Sequence, residues 1–185
     1  MKKKYYRLRD DTYYPNRWYL GDIVNDDNNW RYSEGTSVKI PTNELKIEVY
    51  QVGLEMDFTI TNAYCVPIVS QAFKEAVSAI THLQFIPVTF DKLELSTNYY
   101  VMNINKLVDA VDEKKSDFRK FTVNDPIRPD KAGQYSSFFK LIVDEKRING
   151  ESIFRLNGSS LKIIVDEFVK SKIENFNGVD LTLVS

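Results

Sequence analysis

Alternating apolar and polar positions run through much of the chain and predict a protein built mainly from short β-strands. The clearest example is LKIEVYQV (45–52), where every second side chain of the first half is apolar, the period of a strand with one buried face. The same pattern, or a run of β-branched and aromatic residues between turn signals, predicts further strands. Their ranges are 5–8, 17–23, 30–32, 56–61, 83–90, 99–104, 138–148, 152–156, 162–165 and 179–184.

Two stretches change to the helical period. Residues 70–80 place apolar side chains at helical spacing behind Ser70, whose hydroxyl is suited to cap the first turn. Residues 166–176 repeat this arrangement behind Asp166. We therefore predict an α+β fold, mostly antiparallel sheet with two short amphipathic helices.

The two helical stretches resemble each other. IVSQAFKEAV (68–77) and IVDEFVKSKI (164–173) share an Ile-Val lead-in, a capping residue and a pair of apolar helix positions, and a strand follows each about ten residues later. A partial internal duplication of a helix-strand unit explains this similarity. Convergence on a common capped amphipathic helix explains it equally well, so both interpretations stay open at this stage.

Glycine and asparagine mark the expected turns between strands. Asn149-Gly150 lies between two apolar runs and predicts a β-hairpin, since this dipeptide is the strongest short hairpin signal. Gly53 is expected to turn strand 45–52 back onto strand 56–61.

The length of the chain predicts one domain over residues 1–185, with a β-rich lobe (1–63) and an α+β lobe (64–185) as the alternative division. Residues 112–137 combine a charged run with two prolines and a glycine, which predicts an irregular loop, and loops this long are usually functional or disordered. Pro87 lies inside a predicted strand, which favours an edge position or a bulge there.

Composition narrows the functional classes. The formal net charge of −1 gives no overall field for nucleic acids or anionic membranes. The single cysteine excludes an intramolecular disulfide and is typical of a reducing compartment. The opening MKKKYYRLRD has no apolar run behind it, unlike a signal peptide, and the longest apolar stretches fall short of the roughly 20 residues of a membrane helix. We therefore expect a cytoplasmic protein.

Candidate catalytic residues are few. His82 is the one histidine and follows the first predicted helix, where satisfying the helix dipole is the more typical role. Cys65 precedes Val66-Pro67 and is interpreted as a small buried apolar residue. A Cys65–His82 nucleophilic pair is the enzymatic alternative, which nothing in the local sequence favours. No phosphate-binding glycine motif occurs, and two soft ligands are too few for a zinc site. We predict neither an enzyme nor a cofactor or metal site.

The N-terminal segment suggests a second kind of binding protein. Residues 1–17 carry six cations, among them Lys2, against two acids, and aromatic residues lie between them, as in single-stranded nucleic-acid platforms. Residues 18–34 carry the opposite charge, so the two fields would largely cancel. A nucleic-acid or small-ligand module is therefore the alternative function.

The segment NRWYLGDI (16–23) permits two interpretations. Trp18 and Leu20 fall on one face of a short strand and Tyr19 on the other. Burying one tryptophan contributes about 2–3 kcal/mol. We interpret the segment as a wedge that holds the first strand to the sheet, and an exposed aromatic platform for a ligand is the other interpretation.

Fragments from the whole chain resemble the Imm11 immunity protein family, formerly DUF1629, of bacterial polymorphic toxin systems. The fragments are an opening Tyr-Tyr-x-Leu strand, RWYLG (17–21), PIVSQAFKEAV (67–77), QFIPV (84–88), YYVMNI (99–104), VDAVDEKKS (108–116), LIVDEKRINGESIFRL (141–156) and IIVDEFVKSKI (163–173). The resemblance implies a non-enzymatic α+β protein that binds and blocks a cognate toxin encoded by a neighbouring gene. It carries no catalytic residues, and it implies an architectural role for Trp18 and Gly21.

Two regions are candidates for the contact with such a toxin. The first is a set of acidic turn residues that could meet a basic toxin surface, since nucleases that bind phosphates are cationic. These residues are Asp10, Asp11, Asp22, Asp26 and Asp27. The second is the loop 112–137, because contacts specific to a partner concentrate on loops carried by a stable scaffold.

Overall fold

Two large sheets and a separate hairpin carry the chain in the computed structural model, which describes residues 3–91 and 93–185. The strands are β1 (Tyr5–Asp10), β2 (Tyr19–Ile23), β3 (Leu45–Gln51), β4 (Phe58–Ile60), β5 (Pro67–Ser70), β6 (Leu83–Phe90), β7 (Tyr99–Ile104), β8 (Leu107–Val108), β9 (Asp117–Lys120), β10 (Tyr135–Lys140), β11 (Ile153–Leu156), β12 (Ser159–Asp166) and β13 (Val179–Leu183). The helices are α1 (Gln71–Val77), α2 (Glu145–Ile148) and α3 (Glu167–Ile173), with 3-10 turns at Asn29–Ser33 and Pro129–Lys131. Sheet dominates, in agreement with the predicted strand content.

The strand order places the first strand beside the last. The five-stranded sheet has the order β13-β1-β12-β11-β8, and the six-stranded sheet has the order β2-β3-β6-β7-β5-β4. Strands β9 and β10 form the two-stranded hairpin. Among the described strands, pairing is antiparallel except between β3 and β6 and between β8 and β11. The prediction of a mostly antiparallel sheet is confirmed.

Both predicted helix caps are present. The Ser70 hydroxyl accepts the backbone N–H of Phe73 at 3.2 Å, and the Asp166 carboxylate accepts that of Val169 at 2.9 Å. Each bond satisfies one of the free N–H groups of a first helical turn. Behind the caps, the apolar faces of α1 and α3 are buried in one cluster between the two large sheets.

A buried arginine connects the five-stranded sheet to the segment that precedes β3. Arg155 on β11 is fully buried, and its guanidinium donates to the carbonyl O of Tyr32 at 3.1 Å and to that of Ser160 at 2.7 Å. Burial lowers the pKa of Arg155 to about 10. The two carbonyl groups are therefore the partners that make this buried cation tolerable.

Two strand predictions near the N-terminus are wrong. Residues 30–32 lie in the 3-10 turn Asn29–Ser33 and not in a strand. The Asn29 side chain holds this turn, because it accepts the N–H of Ile23 at 2.8 Å and donates to the Ile23 carbonyl at 2.9 Å. Strand β4, within the predicted range 56–61, pairs with β5 and not with β3 across Gly53.

The predictions for residues 112–150 also need correction. The expected irregular loop 112–137 contains β9, which pairs with β10 in a hairpin. The expected long strand 138–148 is divided, since β10 ends at Lys140 and α2 occupies Glu145–Ile148. Asn149 adopts a left-handed conformation (φ 54°) at the end of α2, so Asn149-Gly150 terminates a helix and does not form a hairpin turn.

The two sequence-related segments occupy equivalent places in the two large sheets. The neighbouring strands β4-β5-β7-β6 and β11-β12-β1-β13 are antiparallel throughout, with α1 and α3 following β5 and β12. Register agrees as well, because Ser70 lies opposite Tyr99 and Asp166 lies opposite Tyr5. This shared connectivity is what the duplication hypothesis predicts, although the duplication itself stays a prediction.

The sheets combine strands from both sides of residue 63. β1 pairs with β12 and β13, and β4 pairs with β5. The predicted edge position or bulge at Pro87 is wrong, because β6 lies between β3 and β7 and Pro87 is opposite Tyr100 in regular register. Pro87 lies just before the part of β6 that pairs with β3, so its missing N–H interrupts no bond to β3. Within the described ranges, helices of the length and apolar content needed to cross a bilayer are absent.

Candidate interaction surface

The acidic residues that the sequence offers for partner contact have different environments. Asp10, at the end of β1, forms an ion pair with Arg17 at 2.6 Å, and both side chains are buried. Arg17 also donates to the carbonyl O of Asp11 at 2.7 Å and to the Thr59 hydroxyl at 3.2 Å. Burial raises the pKa of Asp10 against the opposing effect of the Arg17 guanidinium. Asp10 is therefore a structural partner of Arg17.

Asp26 is also bonded within the fold. Its carboxylate accepts the Tyr32 hydroxyl at 2.6 Å and the N–H of Asn28 at 3.0 Å, and it forms an ion pair with Arg31. Burial opposes ionisation, but these hydrogen bonds and the Arg31 charge together lower the pKa of Asp26. Burial and the bond to Asp26 raise the pKa of Tyr32 to about 12. This cluster stabilises the turn that follows β2.

The remaining three acids are more accessible. The Asp11 carboxylate accepts the N–H of Tyr13 at 2.9 Å, and that of Asp22 accepts the N–H of Ala63 at 3.2 Å. Asp27 is exposed and has no side-chain bond to any described residue. Asp26 and Asp27 line one open pocket of about 560 Å³ that also contains Lys39, whereas Asp10 lines a different groove. The structure thus separates these acids, and Asp11, Asp22 and Asp27 remain the more accessible members.

NRWYLGDI places one aromatic ring inside the protein and one outside. Trp18 is fully buried and stacks on Phe90, with ring centroids 5.3 Å apart, and its ring lies 5.2 Å from that of Tyr99. Its burial confirms the structural interpretation. However, Trp18 holds its segment against β6 and β7, whereas β1 belongs to the other sheet. The expected role in holding the first strand is therefore wrong.

Tyr19 points the other way and belongs to an exposed apolar surface on β2, β3 and the residues that follow β3. Tyr50 is 58% exposed and Val52 is 68% exposed, and about half of Tyr19 and of Leu54 is accessible. The Arg17 guanidinium lies 4.9 Å from the centre of the Tyr19 ring. We call Tyr19, Tyr50, Val52 and Leu54 the β2–β3 surface.

Main-chain contacts fix the two parts of this surface to each other. The N–H of Leu54 donates to the Asn16 carbonyl at 2.7 Å, and the N–H of Trp18 donates to the Leu54 carbonyl at 3.3 Å. A Cβ at Gly53 would lie 2.5 Å from the carbonyl O of Arg17, so this approach requires glycine. The exposed side chains are thus carried by rigid backbone.

Sequence reasoning recognised the Tyr19 platform as an alternative but missed Tyr50, Val52 and Leu54. Tyr50 occupies a polar-face position in the period-2 pattern of β3, and this pattern predicts only that its side chain points outward. The available signal was a large aromatic residue at an outward position, followed by two apolar residues beyond the strand. Whether such positions adjoin Tyr19 depends on the pairing of β2 with β3.

Cys65 and His82 lie in different surroundings. Cys65 is half-buried in a groove of about 250 Å³ beside Arg7 and Lys162, so it is less buried than expected. Burial raises the pKa of its thiol, which disfavours the nucleophilic thiolate. His82 is exposed, adopts a positive φ of 68° and lies 3.6 Å from the Glu151 carboxylate. His82 is not among the residues that line the Cys65 groove.

Three of the N-terminal cations are engaged by acids of the same chain. Lys3 pairs with Asp166 at 2.8 Å and Arg9 pairs with Asp180 at 2.6 Å, in addition to the buried pair of Arg17. Lys2 lies outside the described residues. Tyr5 is buried, so it offers no ring for a base to stack on. These contacts weigh against the nucleic-acid alternative.

Residues 3–91 and 93–185 contain no group of three or more His, Cys, Asp or Glu side chains suited to hold a metal ion. Comparison with known proteins gave one family: the model described as immunity protein family (Imm11) matches residues 32–184. No curated protein matches the chain. The match covers nearly the whole chain but begins after Trp18 and Gly21, so it does not test the architectural role expected of them.

Proposed function

The chain belongs to the Imm11 immunity protein family, and we propose that it binds a cognate bacterial toxin and neutralises it by covering part of the toxin surface. In this proposal the toxin is the product of a neighbouring gene in a polymorphic toxin system, and the complex forms in the cytoplasm of the producing cell. The family match over residues 32–184 is the observation that carries the proposal.

The proposed inhibition is stoichiometric and requires no covalent chemistry. The raised pKa of the Cys65 thiol and the distinct surroundings of His82 support this view, because a nucleophilic pair needs a reactive thiolate beside its base. Tight inhibition would need an interface that buries roughly 1,600 Å² in total.

We place the centre of the toxin contact on the β2–β3 surface. Tyrosine is enriched at protein interfaces because its ring supplies large contact area with little conformational freedom to lose. Tyr19 and Tyr50 are such residues, held on paired strands and accompanied by Val52. Among the acids, Asp11, Asp22 and Asp27 are the members without an ion pair to any described residue and could meet a cationic toxin, whereas Asp10 and Asp26 are paired with Arg17 and Arg31.

Co-expression tests the function directly. Each protein encoded beside this gene is expressed in a sensitive host with and without this chain, and we expect one of them to arrest growth alone and to be tolerated in its presence. The same pair should co-purify as a stable complex. If no neighbouring product is both toxic and rescued, the proposed function is wrong.

Substitution tests the proposed surface. We expect Tyr50→Ala combined with Val52→Ser to weaken toxin binding by about tenfold or more, since central interface aromatics commonly contribute 2 kcal/mol or more. Tyr13→Ala is the matched control, because Tyr13 is 92% exposed and lies outside the β2–β3 surface. Equal affinity of the double variant and the control, measured by calorimetry, would place the contact elsewhere.

A further inference from the structure

A groove of about 390 Å³ separates the hairpin strand β10 from β13. Residues 138–142 form one wall and residues 182–184 form the other. The walls converge at one end, where the N–H of Val143 donates to the Val184 carbonyl at 2.7 Å. The groove therefore borders the edge of β13 that faces away from β1, and its lining also includes Arg7 and Arg9 of β1.

The strand β13 is an edge strand with unpaired main-chain groups on this side. It pairs with β1, and flanking bonds at both ends of the ladder join Val184 to Tyr5 and Gly178 to Asp11. The bonds at Val184 and Gly178 mark bonded positions of the ladder, and bonded and non-bonded positions alternate along an antiparallel pair. Leu181 and Leu183 are therefore non-bonded positions, and their N–H and C=O groups point away from β1. Exposed edges of this kind can accept another strand.

The side chains around the groove combine positive charge with apolar surface. The cations that line the groove are Arg7 and Arg9 on β1 and Lys140 on β10. Of these, Arg9 forms an ion pair with Asp180. Arg7 and Lys140 have no ion pair with any acid in the described residues. Burial and the neighbouring Arg9 charge lower the pKa of Arg7, as expected for a cation without a counterion.

The apolar part of the groove is accessible to a partner. Phe139 is 65% exposed and Leu183 is 52% exposed, on opposite walls. The Arg119 guanidinium lies 5.3 Å from the centre of the Phe139 ring, which adds a further cation at this wall. A ligand that complements these walls must carry both negative charge and apolar side chains.

We propose that this groove binds an extended segment of the toxin, which adds a strand to β13. Acidic side chains of the segment lie beside Arg7 and Lys140. Its apolar side chains pack against Phe139 and Leu183. The identity of the partner rests on the proposed function, whereas the strand addition rests on the free edge of β13 and the charge of the groove. Main-chain bonds would supply much of the affinity, and the side chains would supply the selectivity.

A peptide titration tests this site without the toxin. A blocked nonapeptide of alternating glutamate and valine is added to the ¹⁵N-labelled chain, with the lysine–valine peptide as the comparison. We expect the amide signals of Leu181 and Leu183 to move in the presence of the glutamate peptide, with a dissociation constant near or below about 1 mM. The lysine peptide should bind at least about tenfold more weakly.

Two variants separate the charge from the strand edge. Arg7→Gln should weaken binding of the glutamate peptide by about fivefold to tenfold. Leu183→Pro removes an outward N–H that is not bonded to β1 and should abolish the signal changes at Leu181. Phe168→Ala, which changes an exposed apolar residue outside the groove, is the control.

Two outcomes would overturn the groove proposal: no movement of the Leu181 and Leu183 signals at millimolar glutamate peptide, or equal binding of both peptides. Either result can coexist with rescue and co-purification of a toxin, which would then bind through another surface. Conversely, peptide binding without any toxin partner would retain the groove and remove the proposed function.

Discussion

At the scale of single residues, the structure assigns different roles to acids that look equivalent in the sequence. Asp26 and Asp27 are adjacent in a turn, yet Asp26 accepts hydrogen bonds from Tyr32 and from the backbone, while Asp27 is exposed. A buried carboxylate with several donors stabilises the fold, whereas an exposed one is available to a partner. The same distinction separates Asp10, paired with Arg17, from Asp22.

This difference predicts a pH-dependent stability effect. Asp26→Asn should lower the free energy of unfolding by about 1–3 kcal/mol at pH 7, because Tyr32 and Arg31 lose a charged partner. Since the pKa of Asp26 is lowered by folding, its contribution is present above the ordinary value of 3.8 and is lost as the pH falls below it. The deficit of the variant should therefore shrink in urea melts at pH 3–4.

Asp27→Asn provides the control for this measurement. It removes a neighbouring charge from the same turn without removing a hydrogen bond to a described residue, and its stability should match the parent chain within about 0.5 kcal/mol. Equal losses in the two variants would mean that the Asp26 cluster does not stabilise the turn.

At the scale of elements, close backbone approaches determine which segments meet. The residues after β3 cross the segment that leads into β2, where Gly53 lies against the Arg17 carbonyl. Within the sheet, Gly21 of β2 faces Glu48 of β3, and a Cβ there would lie 2.6 Å from the Glu48 carboxylate. The first neighbour is main chain, whereas the second is the Glu48 side chain, whose Cβ would also lie within 2.8 Å of the added carbon.

Alanine substitution should distinguish these two glycines. Gly53→Ala should destabilise the fold by about 1–3 kcal/mol, because the backbone must move to admit the methyl group. Gly21→Ala should also destabilise the fold but by less, since the Glu48 carboxylate can rotate away and the remaining close contact is with the Glu48 Cβ at 2.8 Å, not with main chain at 2.5 Å. Thermal unfolding of both variants checks the order, and a larger loss at Gly21 would show that the contact at Gly53 is readily relieved.

At the scale of the whole molecule, two similar units pack their helices into one cluster. Each unit has four antiparallel strands and one helix, and the strand that completes the second unit is β1. In the first unit the equivalent strand, β7, follows β6 directly in the chain. The second unit would have the same chain order if β13 were joined to β1.

This relation predicts that a circular permutant will fold. Ser185 and Tyr5 are adjacent, since the Tyr5 N–H donates to the Ser185 hydroxyl at 3.1 Å, so a short linker can join residue 185 to residue 4. New ends are placed in the exposed turn after Asp11. Because permutation is tolerated at exposed turns, we expect a native circular dichroism spectrum and cooperative unfolding. Ends placed within the buried strand β12 should abolish folding, and similar behaviour of both permutants would contradict the prediction.

Features that depend on near neighbours along the chain could be predicted from the sequence alone. The period-2 pattern located β3, apolar runs between turn signals located β6 and β7, and the helical spacing behind Ser70 and Asp166 located α1 and α3 with their caps. Strand alternation also assigned Trp18 and Tyr19 to opposite faces. These features follow from side-chain direction and from hydrogen bonds within a few residues, which are the same in any fold.

Which strands pair, and which polar groups lack a hydrogen-bond partner within the fold, depends on the tertiary structure. The union of β1 with β12 and β13 and the β9–β10 hairpin depend on contacts between distant residues, which the local pattern does not encode. The candidate surfaces depend on them as well. An acid is less available to a partner when several donors from elsewhere in the chain reach it, and the edge of β13 is free because β10 turns away to pair with β9.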